Sequence, residues 1–424
     1  MIAEFYQKNG FEVKYFISGE NKSFFAVHRF SNQQLDSRPF GLQHEDADKQ
    51  TGKKLSHWAK LLSRHSGIHF NNRKTEIETI IEKEEPNIIF LDEFCVTDFI
   101  LVYPYLNENR KCIVLSPFLP SSPHSAIPPL NTFLFPHDDA EKAWKSELKK
   151  QAKGTLKRKW KYLFRDHISI LKKRFKEQKI PKAYAPAFFW EYIPVYNGVE
   201  KWYLQPPEID FYVQKLPPKH RYLAPLIELN RKEEVGNRYQ MFLKITGSNK
   251  NAKIIFCSLG SVVNQLVQDP NVLISFFNTI TEVAKQNPNW FFALKVPQAI
   301  QSKVKLKSLN IRIFDFPPYL DLLRRSSLFI THCGGNSYLE SIYMETPMLA
   351  LPPSDMWDYN GNAARVVHHQ LGLKSSLFAS AQEYSALIEE LLHNEKYSGA
   401  IKRMKKLFNE NYGENYLEKM NLPL

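Results

Sequence analysis

Nearly continuous apolar runs alternate with charged, helix-patterned stretches along the first part of the chain. A helix is predicted up to residue 10 and a strand over 12–18. The runs NIIFL at 87–91 and KCIVLS at 111–116 are apolar at successive positions rather than at every second one. Strands of a parallel sheet covered on both faces have this pattern, so both runs are predicted as buried parallel strands.

The same alternation returns after residue 252. Strands are predicted at 253–258, 290–296, 311–314 and 328–331, a helix at 270–286, and a closing helical region at 382–420. Two successive series of strand–helix units predict an α/β protein with two Rossmann-like, doubly wound domains that face a cleft. The predicted boundaries are 1–232 for the N-terminal domain, 233–251 for a linker and 252–424 for the C-terminal domain.

The segment 141–180 differs from its surroundings in charge. It follows a proline-rich loop at 116–130 and holds fifteen of the 57 Lys and Arg residues, against four Asp and Glu. Apolar residues from Trp144 through Leu156 and Trp160 to Phe175 recur at helical spacing, so the segment is predicted to be helical, with Gly154 as a point where it divides. Two interpretations stay open: a helix that covers a pocket and exposes a solvated basic face, or a surface that lies on an anionic membrane.

Composition excludes several classes of protein. The length of 424 residues suits two domains. The most apolar stretch, 87–105, contains three carboxylates and falls short of the roughly 18 uncharged residues of a membrane span. The four cysteines fit no zinc spacing. Three of them lie in or beside apolar runs, where a free thiol is usual, and this favours a reducing cytosol. Because most of the excess positive charge lies in one segment, a nucleic-acid partner is not expected.

Residues 316–372 carry the candidate chemistry. The strand at 328–331 leads into His332, then Gly334 and Gly335, and Asn336 and Ser337 open a helix. Glycines at such a turn let the backbone approach a phosphate, and the new helix presents free N–H groups to anionic oxygens. Further along, one carboxylate can accept from a ribose diol and another from sugar hydroxyls. The pattern indicates a site for a nucleoside diphosphate sugar that needs no metal; the two carboxylates are Glu340 and Asp358.

This segment resembles the donor-binding signature of the family 1 UDP-glycosyltransferases. The order and spacing match over many positions, with Phe316 in place of a tryptophan. Matching residues are Pro318, Leu322, Leu323, His332, Gly334, Asn336, Ser337, Glu340, Asp358, Asn362, Ala363, Arg365, Val366 and Gly372. The turn SLGS, with Ser258, Gly260 and Ser261, resembles the family turn that reaches the donor phosphate, and NIIFLDEF resembles the strand that ends in a catalytic-site aspartate, here Asp92.

The resemblance implies a GT-B fold, with the UDP-sugar on the C-terminal domain and the acceptor on the N-terminal one. It implies an inverting transfer of a hexose to a hydroxyl of a small lipophilic acceptor, without a metal or other cofactor. His332 and the helix start, with Gly334 and Gly335, would stabilise the leaving diphosphate. Phe316 would stack on the uracil, Glu340 would hold the ribose, and Asp358 would hold the sugar.

Besides Phe316, five positions depart from the family pattern. Cys333, Glu345 and Gln370 stand where the family has glycine. Tyr319 and Tyr359 stand where it has two glutamines, the second of which contacts the transferred sugar. Both tyrosines are predicted to be donor-site residues, but the sequence does not predict which sugar is transferred.

The N-terminus departs most. Family members begin with a buried strand and a Gly-His turn whose histidine is the catalytic base, oriented by the aspartate that Asp92 matches. Neither the strand nor the histidine is found here, so we expect the natural start roughly 20 residues upstream. His124 and His137 are candidate substitute bases. A catalytically impaired UDP-binding relative, a membrane-associated glycolipid-forming transferase and a basic membrane- or nucleic-acid-associated protein are the alternative interpretations. The expected location is the cytoplasm, with peripheral contact to the inner membrane surface through 141–180.

Overall fold

The computed structural model describes residues 1–18, 30–40, 56–136, 138–190, 193–196, 198–223, 225–261, 263–305, 307–413 and 416–423. Strands in these ranges are β1 Lys14–Ser18, β2 Ser31–Leu35, β3 Ile88–Asp92, β4 Lys111–Ser116, β5 Pro186–Trp190, β6 Ile193–Tyr196, β7 Glu200–Tyr203, β8 His220–Tyr222, β9 Lys253–Ser258, β10 Trp290–Lys295, β11 Ile311–Ile313, β12 Leu328–Thr331, β13 Met348–Ala350 and β14 Gly372–Lys374.

The α-helices of the N-terminal half are α1 Ile2–Lys8, α2 His57–Ser66, α3 Ile68–Glu84, α4 Phe99–Val102, α5 Ala140–Lys161 and α6 His167–Glu177. Those that follow are α7 Asn237–Gly247, α8 Val263–Leu266, α9 Pro270–Gln286, α10 Gln298–Gln301, α11 Tyr319–Arg325, α12 Gly335–Tyr343, α13 Tyr359–His368, α14 Ala381–His393, α15 Glu395–Asn411 and α16 Tyr416–Lys419. Short 3-10 helices lie at Glu93–Asp98, Tyr103–Tyr105, Lys182–Tyr184 and Pro207–Ile209.

The C-terminal half contains a parallel six-stranded sheet in the order β11-β10-β9-β12-β13-β14. This is the Rossmann order, in which the chain reverses its direction of winding between β9 and β12. Alternate residues of β9 face opposite apolar clusters, with Ile255 and Cys257 on one side and Ile254 and Phe256 on the other. Both faces are therefore covered, and the ends of β9 and β12 form the crevice where such sheets bind ligands.

The described strands of the N-terminal half form three separate sheets. β3, β4, β7 and β8 make a parallel sheet in that order, β1 pairs in parallel with β2, and β5 and β6 form an antiparallel hairpin. The predicted buried runs at 87–91 and 111–116 are the two neighbouring strands β3 and β4. The Ser116 end of β4 lies beside Tyr203 at the end of β7.

The basic segment folds into two helices, as its pattern predicts, but the division is not at Gly154. Gly154 lies inside α5, and the chain breaks at 162–166 instead. Leu163 and Phe164 have φ angles of 48° and 59°, which end the right-handed helix. Asp166 then accepts a hydrogen bond from the Ser169 N–H and caps α6.

The two halves are joined through a buried ion pair. Arg365 on α13 donates through Nε and Nη2 to Asp210 Oδ1 at 3.0 and 2.6 Å, and both side chains are at most 1% exposed. The proline-rich loop contacts the same helix, where the Gly361 N–H donates to the Leu130 carbonyl at 2.8 Å. These contacts hold the proline-rich loop and the segment that carries Asp210 against α13.

The C-terminal residues return to the N-terminal half. Tyr416, Leu417 and Leu422 belong to one apolar cluster with Phe5 and Tyr6 of α1. The Tyr6 hydroxyl donates to the Pro423 carbonyl at 2.9 Å. Among the helices described, no candidate for a membrane span was found.

Candidate functional site

His332 lies between two glycine turns at the end of β12. A Cβ at Gly260 would come within 2.6 Å of His332 Nε2, and one at Gly334 within 2.5 Å of the same atom. Gly260 also has a φ of +81°, which a residue with a side chain adopts at a cost. The turn at 258–261 and the turn after β12, far apart in sequence, therefore close on one imidazole because Ser258 and Thr331 are aligned in the sheet.

The helix that opens at this turn points its first N–H groups toward the crevice. α12 begins at Gly335 with Gly334 as its N-cap, and no side chain caps it. Asn336 is exposed and Ser337 is half-buried on the first turn. Uncapped N–H groups at a helix start attract anionic oxygens, because each lacks an intrahelical partner.

The electrostatics of this turn favour an anion without a charged histidine. The pKa of His332 is lowered to about 4, mainly by burial and to a smaller extent by the nearby Lys295 ammonium, while a hydrogen bond to the Ser258 backbone opposes the shift. The imidazole is therefore neutral at pH 7 and offers a hydrogen bond rather than a charge. Lys295 ends β10 directly beside Ser258, and burial lowers its own pKa.

Glu340 is held by an arginine from the segment that precedes α7. Arg231 Nη1 donates to Glu340 Oε1 at 2.5 Å, and Arg231 Nε donates to Glu233 at 3.2 Å. Glu233 in turn accepts from the N–H groups of Leu320 and Asp321 at the start of α11. Burial raises the pKa of Glu340, and the Arg231 charge opposes this effect.

Asp358 is buried and hydrogen-bonded rather than open. Asn362 Nδ2 donates to Asp358 Oδ2 at 2.8 Å and to the Cys333 carbonyl at 3.0 Å. Burial raises the pKa of Asp358 to about 6. The next residue, Tyr359, places its ring 5.4 Å from the His332 ring. The loop before α13 and the turn after β12 are thus one hydrogen-bonded unit.

The two aromatic residues before α11 occupy different surroundings. Phe316 is 91% exposed and follows β11, the edge strand of the C-terminal sheet. Tyr319 packs edge-on against Phe256 at 5.0 Å, and its hydroxyl bonds to Ser337. Tyr319 therefore supports the first turn of α12 from the core side.

Asp92 caps the turn that follows β3. Its Oδ1 accepts from the Phe94 N–H at 2.8 Å at the start of the 3-10 helix. The centre of the Phe94 ring lies 5.6 Å from that of Phe118 and 5.2 Å from that of Trp357. Trp357 directly precedes Asp358. The end of β3 and the loop that carries Asp358 are therefore neighbours across the crevice.

A cavity opens on one face of the N-terminal sheet beside these aromatic rings. Its polar lining includes a buried ion pair in which Lys201 Nζ lies 2.7 Å from Glu93 Oε1. Tyr203 and His220 also line it, with the Tyr203 hydroxyl 3.2 Å from His220 Nδ1. Burial lowers the pKa of His220 to about 4, so this imidazole is neutral.

The sequence analysis missed three residues of this region. Lys295, Arg231 and His220 lie near the site through strand alignment or tertiary contact. Of these, only Lys295 carried a signal, because it ends a buried strand of the predicted sheet. His124 accepts from the N–H groups of Ala126 and Ile127 and so closes a turn, while His137 lies outside the described residues. Across the described ranges, no group of three His, Cys, Asp or Glu side chains is placed to hold a metal.

The C-terminal part of the chain is similar to known sugar transferases. Residues 209–412 match the family model "UDP-glucoronosyl and UDP-glucosyl transferase". Zeaxanthin glucosyltransferase of Pantoea ananas is 28% identical over 190 residues, which cover 44% of this chain and 40% of that protein. The chain spans 40% or less of the length of the first three curated relatives that it matches.

Solved structures extend the likeness to the whole chain at the level of the fold. The glycosyltransferase of kitacinnamycin has a TM-score of 0.67 at 14% identity, covering 98% of this chain and 93% of that one. The spinosyn rhamnosyltransferase SpnG in complex with thymidine diphosphate has a TM-score of 0.58 at 12% identity, covering 96% and 91%. These likenesses show the GT-B fold that the sequence predicts. Through residues 209–412, this chain is similar to the UDP-glucuronosyl and UDP-glucosyl transferases.

Proposed function

We propose that the chain transfers a hexose from a UDP-sugar to a hydroxyl group of a small lipophilic acceptor, with inversion at the anomeric carbon. The observation that carries the proposal is the closure of two glycine turns on His332 at the point where the C-terminal sheet reverses direction. Backbone N–H groups, a neutral imidazole and the Lys295 ammonium converge there. The match of residues 209–412 to the family of UDP-glucuronosyl and UDP-glucosyl transferases supports UDP as the nucleotide.

In this proposal the diphosphate binds at the start of α12. The free N–H groups stabilise the charge that develops on the leaving diphosphate, since they are fixed before the reaction begins. His332 Nε2 adds one hydrogen bond, and Lys295 supplies a positive charge. Glu340 accepts hydrogen bonds from the ribose hydroxyls, and for this one of its oxygens gives up its hydrogen bond from Arg231. Phe316 stacks on the uracil.

The acceptor occupies the space between the N-terminal sheet and the Asp358 loop. Phe94, Phe118 and Trp357 supply apolar surface there, which supports a lipophilic acceptor. Asp358 holds the sugar next to this surface. The free state of all four cysteines, three of them buried, supports a cytoplasmic location.

A second candidate is a UDP-binding relative with impaired catalysis. Asp92, which the family pairs with a catalytic histidine, here accepts from the Phe94 N–H as a helix cap. Such a protein would bind the donor through the same C-terminal site. It would not turn over acceptors.

Two measurements on the 424-residue chain separate these candidates. The first is the change in unfolding temperature on adding UDP, with His332→Ala as the test variant and His393→Ala, an exposed histidine of α14, as its control. We expect UDP to stabilise the parent and the control, and to bind His332→Ala at least tenfold more weakly. An unchanged unfolding temperature of the parent at millimolar UDP would contradict both candidates.

The second measurement is product formation by mass spectrometry. UDP-glucose and other UDP-hexoses are offered with a panel of phenolic and terpenoid alcohols. Glycosylated product that disappears in Asp358→Ala supports the transferase. UDP binding without product from any donor and acceptor pair favours the impaired relative.

A further inference from the structure

The apolar stripe of the basic segment leaves the protein body part-way along α5. Trp144 is 4% exposed and donates from Nε1 to the Ile127 carbonyl at 2.8 Å, so the first turns cover the proline-rich loop. Later members of the same stripe are solvent-exposed: Leu156 at 58% and Trp160 at 66%. The interpretation of a covering helix therefore holds for the first turns of α5 and for α6, which buries Leu171 and Phe175. The last turns of α5 present an apolar face outward.

The turn after α5 extends this face. Leu163 and Phe164 have left-handed backbone conformations, and their side chains are 65% and 57% exposed. The Phe164 ring lies 5.5 Å from the Trp160 ring. Two successive left-handed residues with side chains are costly, and here they direct two large apolar groups into solvent.

Helix α2 contributes a second part of the same surface. Its His57 ring lies 6.4 Å from Tyr162, and Arg64 stacks over Tyr162 at 4.2 Å. Beside these contacts, Trp58 is 74% exposed and Leu62 is 68% exposed, one helical turn apart. We name this surface the apolar–basic patch; its apolar members are Trp58, Leu62, Leu156, Trp160, Leu163 and Phe164.

The charge around the patch is of one sign. Between Glu147 and Asp166 the sequence contains eight Lys and Arg residues and no carboxylate, and α2 contains no carboxylate either. Lys153, Lys157 and Lys161 are exposed beside the apolar members. An apolar face with a basic border matches the interface of an anionic bilayer, where aromatic rings enter the headgroup level and lysines meet lipid phosphates.

We propose that the apolar–basic patch docks this protein on an anionic lipid surface. A protein partner would find no carboxylate on the last turns of α5 with which to pair its own cations. A nucleic acid would pair with the lysines but would leave Leu62, Leu156 and Leu163 exposed. A bilayer satisfies both the charged and the apolar members at once. No residue of the patch belongs to the proposed donor turn, and the test does not depend on transferase activity.

The test measures binding of the full chain to vesicles by co-sedimentation. One set of vesicles contains 30% phosphatidylglycerol in phosphatidylcholine, and the other contains phosphatidylcholine alone. At 20 mM salt we expect at least tenfold stronger partitioning onto the anionic vesicles, which 0.5 M salt reduces at least tenfold. Lipids brominated near the headgroup should quench the tryptophan fluorescence, and Trp58→Phe with Trp160→Phe should remove most of the quenching.

Matched variants separate the patch from general stickiness. Trp160→Ala with Phe164→Ala should weaken partitioning at least tenfold, whereas Leu309→Ala with Phe378→Ala, which remove side chains 92% and 80% exposed elsewhere, should not. Lys153→Gln, Lys157→Gln and Lys161→Gln together should weaken it, while Lys303→Gln, Lys305→Gln and Lys402→Gln should not. Unchanged circular dichroism and unfolding temperature confirm that each variant folds.

Three outcomes would overturn the proposal. The first is equal partitioning onto anionic and neutral vesicles at low salt. The second is equal loss in the patch variants and their controls. The third is tight binding to a single-stranded RNA oligonucleotide with no partitioning onto either vesicle, which would assign the basic border to nucleic acid instead.

Discussion

Left-handed backbone occurs at three positions where the sequence resemblance leads one to expect glycine. Cys333, Glu345 and Gln370 have φ angles of 64°, 60° and 57°. A residue with a Cβ pays about 1–2 kcal/mol in this conformation, whereas glycine does not. Three separate turns of this fold therefore have a backbone conformation that glycine would adopt at lower cost.

Gln370 offers the clearest measurement of this cost, because it is exposed and directly follows the C-cap residue of α13. Gln370→Gly should raise the free energy of unfolding by about 1 kcal/mol, since relief of strain exceeds the entropic cost of glycine. Gln382→Gly, in the right-handed first turn of α14, is the control and should lower it by about 0.5–1 kcal/mol. Chemical denaturation measures both, and a loss of stability in Gln370→Gly would refute the argument.

Asp358 should make stability depend on pH. Its pKa in the fold, about 6, lies above the ordinary value of 3.8 because it is buried. The folded protein therefore holds this proton more tightly than the unfolded chain does. As the pH rises from about 4 to above 6, Asp358 consequently lowers the free energy of unfolding.

Asp358→Asn removes that contribution while it keeps an oxygen for Asn362. Relative to the parent, we expect the variant to gain about 1–3 kcal/mol in free energy of unfolding at pH 7, and much less at pH 4.5. Transferase activity should fall in the same variant. The lowered pKa values of His332 and His220 make the free energy of unfolding rise with pH over this range. The measured quantity is therefore the difference between variant and parent at each pH. An equal difference at both values would contradict the assigned pKa.

At the scale of elements, the strands that could be predicted are those with long apolar runs. β4, β9 and β12 begin and end as predicted, and so does α9. β13 and β14 were not predicted, since each has three residues and shows no period, although β11, which is equally short, was expected at 311–314. The predicted linker 233–251 contains the helix α7, whose buried face packs through Tyr239 and Phe242 onto Phe314. Tertiary packing, which a local pattern does not reveal, makes that segment a helix.

The contact between the proline-rich loop and α13 leaves no room for a side chain. A Cβ at Gly361 would lie 2.2 Å from the Leu130 carbonyl oxygen. Gly361→Ala should therefore cost more than about 2 kcal/mol of unfolding free energy and weaken donor binding, because α13 also positions Asn362. Gly247→Ala, at the open end of α7, should be neutral or stabilising by up to about 1 kcal/mol. Similar stability of the two variants, by thermal unfolding, would show that the loop yields.

At the scale of the molecule, the ion pair between Arg365 and Asp210 links the halves. A single substitution leaves one charge buried without its partner, so Arg365→Met should lower the free energy of unfolding by about 3–5 kcal/mol. Lys405→Met, which breaks the exposed pair with Glu345, should cost less than about 1 kcal/mol. Combining Asp210→Leu with Arg365→Met should restore much of the loss, and failure of the double variant to recover would assign the loss to packing alone.

The residues proposed to bind the donor could be grouped from sequence much further than those on the proposed acceptor side. His332, the glycines and Asp358 lie in one short segment with fixed spacing, and the Rossmann order brings the turn at 258–261 to them. The pairing of Arg231 with Glu340 and the cavity beside His220 depend on contacts between distant segments, which no spacing rule reports. The binding and catalytic roles of all these residues, and those of Asp92 and Phe316, remain predictions.

The return of residues 416–423 to α1 has a consequence during synthesis. Phe5, Tyr6 and Trp202 share a cluster with Tyr416, Leu417 and Leu422, so one side of the N-terminal sheet has no complete cover until residues 416–423 leave the ribosome. Before that point the nascent chain carries an exposed aromatic surface, although all strands of the six-stranded C-terminal sheet have already been made. Cotranslational chaperones would meet this protein through that surface, and a chain cut before residue 416 would lose part of the cover of a sheet in its other half.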